Sequence, residues 1–368
     1  MRSKSFLVLG LAAVLAVAAA TASVYHRQSR HALPATPQAL FPGLLEAVNE
    51  VAAVRVDLAE GSLTIQKGQG DDWGMVEKGG YPVRYETVKQ AVVGLAGMRP
   101  LEARTARPEL YHKIKVADPR EAGDLLAKGS MIRLLGAGEK EIAGLIVGKT
   151  RSIQTSDREG WYYVRKPAEA RSWLAEARLE VFDKVTAWLD NETVRIDRKR
   201  MRAAGNRQPD GAQVAISRPD PDTIDFKVDN LPDGQEMLHD TIANSLGSAL
   251  GFLSFEDVAP AKEIDFDGAI RAHFKTFDGL TITVDVVEKA GKSWARFAAA
   301  FDAADVRLDA VPEKHKKKMK SAEEAEKEAA YINKRFGPWA YNLPRYKADD
   351  FTVTMEKLVA EKKAGSGS

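Results

Sequence analysis

Residues 85–98, YETVKQAVVGLAGM, set the fold class, because here the apolar spacing changes from one period to another. Val88, Ala91, Val92, Leu95 and Met98 recur at the helical interval and form one stripe. Just upstream, 51–58 and 62–67 alternate β-branched and polar residues at the strand interval, divided by the Glu60-Gly61 hairpin signal. Residues 73–77 extend the pattern to a third strand. Strands followed by a single amphipathic stripe describe a sheet with a covering helix, so the expected class is α+β. Further strands are expected at 131–135, 141–147 and 161–164, separated by Gly136-Ala137-Gly138 and by the polar stretch 150–160.

The second half repeats this order. Strands are expected at 212–217 and 223–228, an amphipathic helix at 237–252 (MLHDTIANSLGSALGF), and strands again at 270–274, 280–287 and 293–301. A constant shift of the helices pairs Val88 with Ile242, Val92 with Leu246, Leu95 with Ala249 and Met98 with Phe252. In the later strands Ile132-Arg133 matches Ile270-Arg271. The reading is two related sheet-plus-helix units in tandem: a first unit over 51–178, a connecting helix within 179–192, and a second unit over 193–312. A charged segment with His315-Lys316-Lys317-Lys318 runs from 313 to 335. After it come an extended stretch at 340–343, a last helix at 348–359 and a flexible tail over 361–368. Mixed charge at helical spacing reads as a solvated helix, with a basic contact to lipid headgroups as the alternative.

The N-terminus sets the compartment. Arg2 and Lys4 precede residues 6–25, FLVLGLAAVLAVAAATASVY, which carry no charge and have the length of a bilayer-crossing helix. Residues 1–25 are expected to be an uncleaved signal anchor, or else a signal peptide cut near Ala22 after Ala20-Thr21-Ala22, with 26–50 as linker. The body then lies in the bacterial periplasm, tethered to the inner membrane by a single transmembrane helix. Without the first 22 residues 52 bases face 52 acids, a balance that offers nucleic acid no general attraction. The 368 residues contain no cysteine, which excludes disulfides, thiol nucleophiles and Cys-ligated zinc.

Several features taken together resemble a bacterial family called domain of unknown function 4340. They are the N-terminal anchor, Leu40-Phe41-Pro42-Gly43-Leu44 before the first strand, Tyr81-Pro82-Val83 before the first helix, and Leu145-Ile146-Val147-Gly148-Lys149. Trp161-Tyr162-Tyr163-Val164 and Trp339-Ala340-Tyr341-Asn342-Leu343-Pro344 complete the set. The resemblance spans most of residues 40–360 and rests on the order of these motifs. It implies a membrane-anchored protein, and for some members an association with gliding-motility-type ABC transporter auxiliary components. It supplies no catalytic residues. The segment 313–335 departs from the plain family pattern.

Motifs for chemistry are sparse. Gly-x-Ser-x-Gly, Ser-x-x-Lys, His-Glu-x-x-His and a complete phosphate loop do not occur, and His26, His31, His112, His239, His273 and His315 are scattered singly. No catalytic, metal-binding or cofactor-binding residue is assigned, and no cofactor is expected. Asp265 and Asp267 share one face if extended and would suit glycan hydrolysis, but Asp265-Phe266-Asp267-Gly268 also reads as a solvated turn. Asp220, Asp222, Asp225, Asp229 and Asp233 lack the alternation and final Glu of a calcium loop. Trp161, Tyr162 and Tyr163 are consecutive and cannot all enter one core, which marks them as a candidate partner surface. The function expected is a noncatalytic accessory or scaffold of an envelope transport assembly, with ABC transporter subunits or other envelope proteins as partners. The alternatives are an envelope glycan hydrolase and a small-ligand binder using a groove between the units.

Overall fold

The computed structural model describes residues 38–68, 70, 72–151, 160–179 and 184–360. The apolar segment 6–25, the Ala20-Thr21-Ala22 site, His26, His31, linker residues 26–37, the centre of the polar stretch 150–160, residues 180–183 and the tail 361–368 lie outside the described residues. Among the described residues no helix is long and apolar enough to cross a membrane. The described residues divide into two compact units, one ending at Leu189 and the other beginning at Asp190.

The first unit opens with β1 (Ala53–Leu58), β2 (Gly61–Lys67), β3 (Trp73–Met75) and β4 (Tyr81–Pro82). It continues through α1 (Tyr85–Ala96), β5 (Arg99–Ala103), α2 (Tyr111–Ile114), β6 (Ser130–Leu135), β7 (Glu141–Arg151), β8 (Gly160–Arg165) and β9 (Ser172–Ala177). The sheet order is β4-β3-β2-β1-β6-β7-β8-β9-β5, with antiparallel neighbours throughout. Alternation sets one face: Val56 pairs with Leu63 on one side and Ile132 on the other, and all three are buried. The expected stripe of α1 is buried at Val88, Ala91, Val92 and Leu95, each larger side chain contributing about 1.5–3 kcal/mol. Helix α1 is the crossover. It carries the chain to the far edge, where β5 pairs with β9, before β6 returns to the centre beside β1.

Helix α1 passes so close to the 178–179 backbone that a Cβ on Gly94 would lie 2.3 Å from the Arg178 carbonyl oxygen. The connecting segment contains, among its described residues, one 3₁₀ turn at Val185–Ala187 rather than the expected helix. Backbone pairing prevents the helix: Arg84 N–H donates to Trp188 O, Leu189 bridges Val83, and Trp188 and Leu189 are fully buried.

The second unit contains β10 (Met201–Arg207), β11 (Gln213–Ser217), β12 (Lys227–Val228), α3 (Asn244–Gly247), β13 (Asp257–Pro260), β14 (Ile270–Thr276), β15 (Leu280–Lys289) and β16 (Lys292–Phe301). Then follow α4 (Glu313–Lys316), α5 (Ala322–Arg335), β17 (Trp339–Leu343), α6 (Arg345–Phe351) and α7 (Met355–Leu358). Its sheet order is β12-β11-β10-β14-β15-β16-β17-β13, again antiparallel. Apart from the edge strand β4, this is the path of the first sheet: strands run outward, the chain crosses to the opposite edge, then returns beside the first strand.

Three further expectations change. The helix expected at 237–252 is helical only at 244–247, flanked by turns. Gly, Ser and Asn are weak helix formers, and Asn244 spends its amide on Asp225 and on the Phe226 N–H. Phe252, aligned with the fully buried Met98, is 75% exposed. The charged segment 313–335 lies within the second sheet's path rather than beyond it, because β17 follows it and pairs between β16 and β13. It is split into α4 and α5 by the Ser321–Glu324 capping box. The last helix divides in two at 352–354.

Helix α5 buries Ala325, Ala329 and Ile332, and one ion network ties it to the sheet. Arg200 donates from Nε to Asp278 Oδ2 at 2.7 Å and from Nη2 to Glu328 Oε2 at 2.7 Å. Asp278 also receives the Thr276 hydroxyl and the Lys320 N–H. Burial alone would raise the Asp278 carboxyl, but the hydrogen bonds and charge of Arg200, with Thr276 and Lys320, outweigh it and hold the pKa below the usual carboxylate value.

Two outcomes follow from this packing. Gly94→Ala is expected to cost about 2 kcal/mol in urea unfolding; an unchanged midpoint would contradict the close approach at Arg178. Asp278→Asn is expected to cost about 2–3 kcal/mol at pH 7. Because the native carboxyl titrates below its unfolded value, its stabilisation is complete above about pH 5 and declines as pH falls through that value. The stability gap between wild type and variant should therefore narrow between pH 6 and pH 3, and a gap constant across that range would refute the assignment.

Candidate functional site

The residues singled out by sequence do not assemble into one centre. Trp161, Tyr162 and Tyr163 lie on β8, and all three are half-buried. The Trp161 indole N–H reaches Glu176 at 3.4 Å, and Arg151 stacks over its ring. The Tyr162 hydroxyl donates to the Leu179 carbonyl. Tyr163 packs against the cluster of Tyr111, Val116, Met131 and Ile146, with Arg104 over its ring. The three rings thus have separate neighbours.

Asp265 and Asp267 form a turn. Asp265 accepts the Asp267 N–H at 2.9 Å and Lys289 Nζ at 3.1 Å, and Gly268 takes the left-handed conformation at φ +72°. The amide hydrogen bond from Asp267, then Lys289, lowers the Asp265 pKa. A general acid requires the opposite shift. Four of the five acids in the series are spent locally: Asp220 caps Asp222 and Thr223, Asp225 accepts Asn244, Asp229 accepts Ser217, and Asp222 receives Lys314 and His315. No group of three or more such side chains that could hold a metal ion occurs among the described residues. Within the basic run Lys316 pairs with Glu313 and Lys318 with Asp197. His112 and His239 are exposed, and His273 is half-buried.

The structure assembles a different set. Cross-strand register places Arg207 of β10 opposite Arg271 of β14, Arg271 opposite Asp285 of β15, and Asp285 opposite Arg296 of β16. Neighbouring residues Asn206, Ala272, Val284 and Ala295 are buried, so this row occupies the other face of the sheet. Arg271 donates from Nε to Asp285 Oδ1 at 2.7 Å and from Nη2 to Oδ2 at 3.2 Å. Arg296 donates to Oδ2 from Nε at 3.0 Å and from Nη2 at 2.9 Å. Burial would raise the Asp285 carboxyl; the two guanidinium groups more than offset this and lower it. The Phe266 ring lies 4.5 Å from the Arg296 guanidinium. Arg207, Gln208, Phe266, Asp267, Arg271 and Arg296 line a cleft of about 400 Å³. Elsewhere in this unit Glu256, Glu288, Lys292, Asn342, Arg345 and Asp349 line a mixed-charge cavity of about 430 Å³.

The row depends on one turn. The β15–β16 hairpin closes on Ala290 and Gly291, both left-handed at φ 52° and 71°, the two-residue geometry that matches strand twist. With Lys289 opposite Lys292, the ladder brings Asp285 opposite Arg296. The Ala290-Gly291 turn is the sequence signal from which the pairing could have been read. The first sheet has a smaller counterpart: Arg55 of β1 lies opposite Arg133 of β6, and Arg133 reaches Asp57 at 2.8 Å.

The sequence model of the family described as domain of unknown function (DUF4340) matches residues 73–268. No curated protein and no solved structure gives a significant match.

Asn tolerates the left-handed region better than Ala and is preferred at the first position of such a turn. Ala290→Asn is therefore expected to raise stability by about 0.5–1 kcal/mol with the Asp285–Arg296 register intact. A loss of stability on thermal unfolding would contradict the turn geometry.

Proposed function

From the premise that the chain belongs to the DUF4340 family, we propose that it is a noncatalytic, membrane-anchored periplasmic accessory or scaffold of an envelope transport assembly, and that it works by binding. The observation that carries the binding reading is the open cleft of Arg207, Arg271 and Arg296 on the second sheet. Guanidinium groups stay charged across physiological pH, so such a lining suits holding a ligand or partner rather than moving protons. The glycan hydrolase alternative loses support from the exposed, lowered Asp265 carboxyl. Small-ligand binding keeps a specific support in the two cavities of the second unit.

Anchorage rests on residues 6–25, whose apolar length suits a single inner-membrane helix preceded by Arg2 and Lys4. Tethering would confine the body near its membrane partners and raise its effective concentration there. ABC-type transport as the setting rests on the family resemblance. The two units are proposed to be related copies, on the support of their shared strand order and of Arg55 and Arg133 standing where Arg207 and Arg271 stand. Trp161 to Tyr163 are a second proposed contact region.

Crosslinking in intact cells is expected to recover transporter subunits with the chain, and a reporter fused to the C-terminus should be active only outside the cytoplasm. A cytoplasmic reporter signal overturns the anchored reading. Recovery of the chain alone as a soluble protein overturns the scaffold reading.

A further inference from the structure

We propose that the arginine-lined cleft of the second sheet binds a phosphate-bearing anion, either a free phosphate ester or the headgroup of an anionic lipid. This inference does not depend on the transport setting. Asp285 is 8% exposed and takes one edge of two guanidinium groups, Nε and Nη2 of Arg271 and of Arg296. The Nη1 hydrogens and the outer Nη2 hydrogen of each arginine remain for an incoming acceptor. Their planes are set beforehand, Arg296 additionally by Phe266, so little side-chain freedom is lost when an anion docks. Arg207 stands opposite Arg271, and its side chain has no hydrogen bond or ion pair among the described residues.

Charge on the cleft is unbalanced. Three arginines and a single carboxylate, Asp267, line it, and Asp285 pairs with two of the three arginines. On the same face Lys275 and Arg202 are both held by Asp305, and burial, then Lys275, lowers the His273 pKa so that it adds no charge near neutrality. Stability alone does not account for the row, since Arg271 and Arg296 side chains are 64% and 44% exposed and ion pairs at such sites add little. The first sheet shows what a self-contained version looks like: Arg55 and Arg133 share Asp57, and the Arg133 side chain is 17% exposed. The second sheet adds a third arginine and a cavity of about 400 Å³, a volume suited to a small molecule. Several guanidinium forks around one space match the tetrahedrally spread oxygens of a phosphate better than the two coplanar oxygens of a carboxylate.

The test uses the full chain in mild detergent. Glycerol 3-phosphate and inorganic phosphate serve as free probes, short-chain phosphatidylglycerol as the lipid probe, and sodium chloride at matched ionic strength as control, all titrated calorimetrically. Saturable binding is expected, weakened about tenfold by Arg207→Gln and at least as much by Arg296→Gln. Arg207 has no internal partner to lose, so its variant keeps the proposal testable if Arg296→Gln fails to fold. Binding of the free probes assigns a soluble ester, and binding of phosphatidylglycerol alone assigns a headgroup; either supports the site. Asp285→Asn is expected to weaken binding because it releases both arginines, whereas simple relief of charge repulsion would strengthen it. Absence of binding by every probe, wild-type affinity in Arg207→Gln, or tighter binding in Asp285→Asn overturns the proposal.

Discussion

Both units depend on the same constraint: the first strand must find its second neighbour far along the chain. β1 pairs with β2 at once, but its other edge waits for β6, and β10 likewise waits for β14. Until that pairing forms, a strand destined for the sheet centre has an open edge, which is costly when both sides are to be buried. The crossover segment makes the closure possible by delivering β5 or β13 to the far edge and freeing the next strand to return. In the first unit this segment is a regular helix, whose Gly94 allows backbone contact at 178–179. In the second it is mostly turns, held by Asn244 and by Gly247 against the Phe226 ring. The same connection is thus made by two kinds of local structure.

Local period was enough to read the strands with β-branched alternation, such as 53–58, 130–135 and 280–289, and the stripe of α1. It was not enough for β9 (SWLAEA) or β10 (MRAAGNR), whose alanines and glycine carry little strand preference and whose extended form comes from neighbours on both edges. At 237–252 an apparent stripe was present, yet side-chain hydrogen bonding and weak helix formers overrode it. The match of Ile132-Arg133 with Ile270-Arg271 corresponds to a position in space, since both arginines lie on the strand that returns beside the first. The arginine row itself joins residues separated by 64, 14 and 11 positions in sequence. Only a register carried across four strands brings the full row together, and the Ala290-Gly291 turn announces its last pair alone.

Two arrangements of arginine within the second unit illustrate how burial decides what a charge is for. Arg200 is almost fully enclosed and is met by two carboxylates, Asp278 and Glu328, with the Thr276 hydroxyl and the Lys320 N–H also donating to Asp278. Left unpaired there it would cost several kcal/mol, so neutralisation is a condition of folding, and the network doubles as the anchor of α5. The ratio is reversed at the surface. One carboxylate serves Arg271 and Arg296, and Arg207 stands beside them without a partner. Water screens this excess positive charge, so the fold tolerates it without a compensating group.

That tolerance separates a structural network from a surface open to selection for binding. A buried network is constrained by its own neutrality, and any change in one member is felt by the core. On the open face, by contrast, the register holds each guanidinium in place through the backbone, and Asp285 orients two of them, while their outward edges remain unsatisfied by protein. The energetic requirement on those edges is met by solvent in the free protein, and an oxyanion would replace solvent at sites already shaped for it. The sheet therefore supplies rigidity and Asp285 supplies aim. The unspent donors define the chemistry the face can recognise.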